Sequence, residues 1–150
     1  MRRILGLGLA AVLVLAACGK SSNGSAPGGS PSQGSSAGTA TLVVNAMKVP
    51  RVGTVLVDSG GFTLYHLQGE TTSNLKCTGS CLSTWPPLLD NSGAKPTGGA
   101  GVTGTLSTFP ALGGGTQVAY NGMPLYTFTG DSASGQANGQ GVENFFAVAP

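Results

Sequence analysis

Two segments of the chain are versions of one unit, and this internal repeat constrains the fold more than any other feature. Residues 53–70 read GTVLVDSGGFTLYHLQGE, and residues 115–131 read GTQVAYNGMPLYTFTGD. In each copy a short apolar run is followed by a glycine-containing turn, a run with Leu-Tyr, and a polar turn that ends in an acidic residue. Short apolar runs separated by turn residues in this way predict β-hairpins.

The turns of the two copies predict hairpins of different tightness. Asn121-Gly122 in the second copy is the strongest short hairpin signal, because a type I′ turn needs positive φ at both positions. Residues 58–61 (DSGG) of the first copy indicate a looser or bulged hairpin. Pro124 has no N–H to donate, so the return strand of the second hairpin is predicted at a sheet edge or a bulge.

The rest of the chain after residue 40 also favours strands, since no helical apolar period is sustained there. Further strands are predicted at residues 41–47, 102–105 and 144–149. Alternation along the last of these runs predicts Phe145 and Phe146 on opposite faces, with one of them buried.

The N-terminus resembles an export signal. Arg2 and Arg3 precede the apolar residues 4–15, a run that suits a secretory signal and is too short for a membrane-spanning helix. Residues 15–18 (LAAC) resemble a bacterial lipobox, which implies that Cys18 carries a lipid anchor after cleavage. The alternative is an ordinary secreted protein with a chance cysteine at this place.

Three regions follow from these features. Residues 1–17 are predicted to be a lipoprotein signal peptide. Residues 18–40 are rich in Gly, Ser and Pro, and predict a flexible tether that begins at the lipidated cysteine. Residues 41–150 are predicted to form a mainly β, small single domain, a sandwich or partly closed barrel built from two related hairpin units near residues 53–90 and 115–150.

The charge balance narrows the classes of partner. Seven Lys and Arg stand against five Asp and Glu, and loss of Arg2 and Arg3 with the signal peptide balances the two signs. Without a basic patch, the sequence argues against nucleic acid. The predicted partners are the membrane, through the lipid on Cys18, and an unidentified envelope protein or small ligand. No cofactor is predicted, and the sequence indicates no oligomeric state.

Cys77 and Cys81 are the two cysteines that remain once Cys18 is assigned to the lipid. Their C-x-x-x-C spacing fits neither a haem attachment site nor a thioredoxin-like pair, and two cysteines do not complete a zinc site. Disulfides persist in exported proteins, so a structural disulfide is predicted. A redox-active or metal-delivering pair is the alternative.

A family resemblance rests on four features that follow one another along the chain. They are the lipobox, CTGSCLSTWPPL after the first copy, QVAYNGMPLYTFTGD with its Y-x-[FWY]-x-x-D pattern, and NGQGVENFFAV. In these the chain resembles bacterial secreted-repeat lipoproteins of uncharacterised function, over nearly all of residues 53–150. The first copy departs from the pattern, with Leu67 in place of an aromatic residue and Glu70 in place of Asp. The resemblance implies an exported protein and no established activity.

The repeat motif has two interpretations. Tyr126 and Phe128 point to the same face of a strand, while Asp131 falls in the following turn. Either Tyr126 and Asp131 bind a polar ligand, or the two aromatic side chains lie in the core and Asp131 caps backbone N–H groups. The matching positions of the first copy, Tyr65 and Glu70, favour the structural interpretation.

Other candidate residues lack the companions that chemistry needs. His66, the only histidine, is predicted to face outward without a nucleophile, an orienting acid or further metal ligands nearby in sequence. Met47 and Met123 show no copper-site spacing. The remaining acidic residues are predicted to be isolated in turns: Asp58, Asp90 and Glu143.

Trp85 begins a stiff segment, since prolines follow it at positions 86 and 87. It is predicted to plug the core under the cysteine loop, and the alternative is an exposed contact surface. Taken together, the sequence predicts a lipid-anchored, non-enzymatic binding or envelope-interaction module with no catalytic residues. The alternatives are an accessory in envelope redox or metal traffic using Cys77 and Cys81, and an enzyme with an unrecognised site.

Overall fold

The computed structural model of the chain describes residues 40–150. The predicted signal peptide, the lipidation site Cys18 and the predicted tether up to residue 39 lie outside the described residues. Within residues 40–150 the chain forms eight short strands, one short helix and a 3-10 turn. They are β1 Val43–Val49, β2 Gly53–Val57, β3 Tyr65–Leu67, α1 Cys81–Thr84, β4 Thr97–Gly98, β5 Leu106–Pro110, β6 Thr116–Tyr120, β7 Met123–Pro124, the 3-10 turn Val142–Asn144 and β8 Phe145–Ala147.

The strands form three small sheets in one small domain, and none of the three closes into a barrel. Their orders are β2-β1-β4, β3-β8 and β5-β6-β7. Neighbouring strands are antiparallel, except for β4, which runs parallel to β1. The prediction of a mainly β domain is therefore confirmed.

Both copies of the repeated unit are hairpins. Asn121 and Gly122 have φ angles of 50° and 82°, as the predicted type I′ turn between β6 and β7 requires. In the first copy, Asp58 Oδ1 accepts the N–H groups of Gly60 and Phe62, both at 2.9 Å, and so holds the longer turn after β2. Pro124 lies in β7, an edge strand of its sheet, where its missing N–H costs no ladder bond.

The two hairpins meet back to back at their tyrosines. The backbone N–H of Tyr65 donates to the carbonyl of Tyr126, and the N–H of Tyr126 donates to the carbonyl of Tyr65, both at 2.9 Å. This reciprocal pair joins equivalent positions of the two copies, so their contacts are related by an approximate two-fold exchange.

Each hairpin is completed by a segment that follows the other hairpin in sequence. Val148, just after β8, accepts the N–H of Leu56 at 2.7 Å and donates to the carbonyl of Leu64 at 2.9 Å, and so adds to the first hairpin.

Leu88 makes the matching bonds in the second hairpin. It accepts the N–H of Val118 and donates to the carbonyl of Leu125, both at 2.9 Å. We call residues 53–89 the first repeat and residues 115–148 the second. We call residues 85–89 and 145–148 their closing segments, which the two repeats exchange.

The main core fills the space between the exchanged strands. Its buried side chains include three pairs of equivalent positions from the two repeats: Leu56 and Val118, Leu64 and Leu125, Leu88 and Val148. Burial of apolar surface stabilises the folded chain by roughly 25 cal/mol per Å². The repeat pattern in the sequence is therefore the pattern of the core.

One predicted strand is wrong. Residues 102–105 form a loop, and the N–H groups of its last two residues bond to side chains instead of a neighbouring strand. The N–H of Gly104 donates to Tyr120 Oη at 2.6 Å, and that of Thr105 donates to Asn121 Oδ1 at 2.8 Å. The strand begins only at Leu106, in register with Tyr120.

The other two predicted strands are present with shifted bounds, as β1 and β8. Phe145 is buried and Phe146 is half-buried, in agreement with their predicted opposite faces.

Candidate functional site

The tyrosine and the acid of the motif pair across the two repeats. Tyr65 of the first repeat donates its hydroxyl to Asp131 Oδ2 of the second at 2.7 Å, and both residues are buried. Burial, and next the Asp131 carboxylate, raise the pKa of the Tyr65 phenol well above its usual range. The phenol therefore stays protonated and acts as a hydrogen-bond donor.

The reciprocal pair is Tyr126 and Glu70. Burial raises the pKa of the Tyr126 phenol, and the negative charge of Glu70 raises it further. Glu70 Oε2, however, is buried and has no hydrogen-bond partner within the described residues. The two tyrosine–acid pairs thus occupy equivalent positions in the two repeats, but Glu70 Oε2 lacks the hydrogen bond that Asp131 Oδ2 accepts.

Both acids also hold the backbone of the loop that follows them. Asp131 Oδ1 accepts the N–H of Asn138 at 2.8 Å. Glu70 Oε1 accepts the N–H groups of Lys76 at 2.7 Å and of Cys77 at 3.0 Å. The contact with Asn138 agrees with the predicted role of Asp131 as a cap of backbone N–H groups. Asp131 also accepts the hydroxyl of Tyr65 from the other repeat.

Trp85 lies at the centre of an aromatic stack. Its ring is parallel to that of Phe145, with centroids 3.8 Å apart, and the ring of Phe128 stacks on it at 4.4 Å. Its indole N–H donates to Glu143 Oε2 at 2.8 Å. Trp85 has no exposed surface. This burial agrees with the predicted core plug and argues against the alternative of an exposed contact surface at Trp85.

Trp85 and Phe145 occupy equivalent positions in the two closing segments. Each meets the tyrosine of its own repeat edge to face: Tyr65 lies 5.4 Å from Trp85, and Tyr126 lies 5.5 Å from Phe145. Leu67, which replaces the motif aromatic in the first repeat, is paired with Phe145 in the β3–β8 ladder. The substitution therefore keeps an apolar side chain next to the stack.

Cys77 and Cys81 form a disulfide with Cα atoms 5.3 Å apart, which confirms the predicted bond. Cys77 is buried among the aromatic side chains, and Cys81 is partly buried at the start of α1. The N–H of Trp85 donates to the carbonyl of Cys81 at 2.8 Å. The disulfide thus fixes the loop that leads into the Trp85 stack.

The other candidate residues are dispersed. His66 is half-buried beside Phe146, with ring centroids 6.5 Å apart, and burial lowers the pKa of its imidazole. Met47 and Met123 pack against two different apolar clusters. Within residues 40–150, no three side chains among His, Cys, Asp and Glu come together in the arrangement of a metal site.

A groove that the sequence did not predict is open on the surface near Asp90. It has a volume of about 520 Å³ and is lined by three separate segments: Ala40–Val43, Ser59 and residues 89–92. From the sequence, Asp90 is predicted only as an isolated acidic residue in a turn. No local signal indicates that the chain brings these three segments together.

No helix among residues 40–150 has the length and apolar character needed to cross a membrane. A family model described as a secreted repeat of unknown function matches residues 107–148, a stretch that contains β6 to β8, all of β5 but its first residue, and the whole of the second repeat. No curated protein and no solved structure matches the chain. Residues 107–148 are thus similar to the family of secreted repeats of unknown function, and this match supports an extracytoplasmic protein.

Proposed function

We propose that the protein is a lipid-anchored, non-enzymatic binding module of the cell envelope, held at the extracytoplasmic face of the membrane by Cys18. The lipobox-like residues 15–18 support the anchor, and the polar residues 19–40 provide a tether between anchor and domain. The family of secreted repeats is consistent with this location.

The observation that carries the binding role is the groove at Asp90. The side chains best suited to chemistry are engaged in the fold: Tyr65 with Asp131, Trp85 with Glu143, and Cys77 with Cys81. The groove instead lies at the domain surface and is lined in part by the first described residues, 40–43. A rigid two-repeat core with an open groove suits binding.

The redox alternative rests on the same disulfide. Reactive cysteines are exposed and have a stabilised thiolate, whereas Cys77 is buried among aromatic rings. Cys81 is the more exposed residue of the pair and is the one that an attacking thiolate would reach. This burial favours the binding module over redox traffic.

The proposal has two parts that one experiment in bacterial cells tests together. Cells expressing the chain are fed an alkyne-labelled fatty acid, and a photocrosslinking amino acid is placed at Ser92 in the groove. We expect lipid label on the wild type and none on Cys18→Ser, together with a discrete crosslinked product from position 92.

The control places the same photocrosslinker at Val142, which is exposed and does not line the groove. Label that persists in Cys18→Ser would contradict the anchor. Crosslinking that is equal from positions 92 and 142 would contradict a binding role for the groove.

A further inference from the structure

The groove combines an apolar wall with a buried acid. Leu42 and Leu89 contribute to the wall, and Leu89 is 38% exposed, one of few large apolar side chains so exposed in the described part of the chain. Asn91 and Ser92 add polar side chains to the same wall. The surface therefore suits a ligand with an apolar part and a polar end.

Asp90 is held firmly in this wall. Its N–H donates to the carbonyl of Thr116 at 2.8 Å, at the end of the exchanged closing segment. Its Oδ1 accepts the N–H of Ser92 at 2.9 Å. The first bond fixes the backbone of Asp90 and the second fixes its carboxylate.

The second oxygen of Asp90 lacks a partner. The residue is 4% exposed, and its Oδ2 is buried without a hydrogen bond within residues 40–150. A buried carboxylate oxygen without a donor is costly, and a group that supplies N–H donors and a positive charge relieves this cost.

We propose that this groove binds a small primary ammonium ion, with Asp90 as its counter-ion and Leu42 and Leu89 in contact with its apolar part. This proposal rests on the binding function proposed above and names its ligand class. A carboxylate only accepts hydrogen bonds, and a primary ammonium only donates them. Because Oδ2 is itself buried, the wall must shift to admit a donor, which favours a compact head group.

Other ligand classes fit the groove less well. An anion would face the charge of Asp90, and a neutral alcohol would leave that charge uncompensated. Calcium takes six to eight oxygen ligands, whereas Asp90 is the only acid in the groove wall. A quaternary ammonium has no N–H to donate and a larger head.

The test uses the full lipidated chain in phosphatidylcholine nanodiscs, with n-butylammonium as the probe and titration calorimetry as the readout against empty nanodiscs. We expect saturable binding of one equivalent. We expect no binding of butyrate, n-butanol or tetramethylammonium, and no competition by calcium chloride at equal concentration.

Three variants locate the site. Asp90→Asn keeps an oxygen for the N–H of Ser92 and removes the charge, so we expect butylammonium binding to weaken at least about tenfold. Leu89→Ala should weaken it several-fold, and the control Val142→Ala should leave it unchanged. Equal thermal melting of Asp90→Asn and wild type ensures that the loss belongs to the site.

The outcomes separate this proposal from the one on which it rests. Equal binding of butanol, unchanged binding by Asp90→Asn, or displacement by calcium would overturn the ammonium site. A crosslinked partner from position 92 without butylammonium binding would leave the binding module standing with a different ligand class. Butylammonium binding without any crosslinked partner would establish the site and contradict the envelope-partner role.

Discussion

The two repeats close the loop after their motif acid by different means. In the first repeat Glu70 holds two backbone N–H groups, and a disulfide fixes the loop from Cys77 to Cys81. In the second repeat Asp131 holds one N–H, that of Asn138, whose side chain donates to the carbonyl of Gly130 at 3.0 Å. One role is thus filled by a covalent bond in one repeat and by hydrogen bonds in the other.

This difference shows which parts of the repeat are fixed by geometry. Both acids accept the N–H of the residue seven positions later, Cys77 or Asn138. Glu70 is one methylene longer than Asp131 and reaches an additional N–H, that of Lys76. The position requires a carboxylate that meets this backbone, and the length of the side chain is adjusted to the loop.

Variants of the aromatic stack test the comparison of the two repeats with the largest expected loss of stability. Trp85→Ala and Phe145→Ala each remove one of two equivalent, fully buried rings. We expect each to lower the free energy of unfolding by about 3–5 kcal/mol. Trp85→Ala should cost more, since it also leaves Glu143 without its indole donor. Urea unfolding followed by far-UV circular dichroism measures both.

The control for the stack is Phe146→Ala, which removes a half-buried ring on the opposite face of the same strand. We expect a loss of about 1 kcal/mol there. A loss for Trp85→Ala no larger than that of the control would show that the stack does not join the repeats.

The tyrosine–acid pairs between the two repeats give the second-largest expected loss of stability. Asp131→Ala leaves the Tyr65 hydroxyl and the Asn138 N–H without their acceptor, so we expect a loss of about 3 kcal/mol. In a double-mutant cycle, Tyr65→Phe and Asp131→Asn should couple by about 1–2 kcal/mol.

The reciprocal cycle of Tyr126→Phe and Glu70→Gln should couple by less than about 0.5 kcal/mol, since Glu70 Oε2 accepts no hydrogen bond. Tyr65→Phe with Glu70→Gln, a pair from the same repeat, should be additive. Coupling within a repeat that exceeds coupling between repeats would contradict the crossed arrangement.

The loop closures give the smallest effect. Replacing Cys77 and Cys81 together by alanine should lower the free energy of unfolding by about 2 kcal/mol, because the disulfide closes only a short loop. Asn138→Ala should cost about 1 kcal/mol through its lost bond to Gly130. Urea unfolding of both variants, and of the wild type in reductant, measures these losses; an unchanged stability on reduction would show that the disulfide does not support the fold.

Local features of the fold could be predicted from the sequence, because their signals lie within a few residues. The positive φ of Asn121 and Gly122 follows from the chemistry of a type I′ turn. The disulfide follows from the export signal and the even number of cysteines after Cys18. The edge position of Pro124 follows from its missing N–H.

Long-range features could not be predicted in the same way. Nothing in the spacing of Tyr65 and Asp131 shows that a motif tyrosine bonds to the acid of the other copy and not to its own. The same limit applies to Asp90, whose neighbours in the groove come from residues 40–43 and Ser59. These pairings depend on how the strands are ordered in space, and no local signal in the sequence determines that order.

The exchange of closing segments has a consequence for cooperativity. In solenoid arrays each repeat adds its own stability, and the units can open one after another. Here the first hairpin is completed by Val148 of the second repeat, and the second hairpin is completed by Leu88 of the first repeat. Opening either repeat therefore removes a hydrogen-bonded segment from the hairpin of the other. The two repeats therefore unfold as one unit, and amide hydrogens in their central strands exchange with solvent through a single global opening.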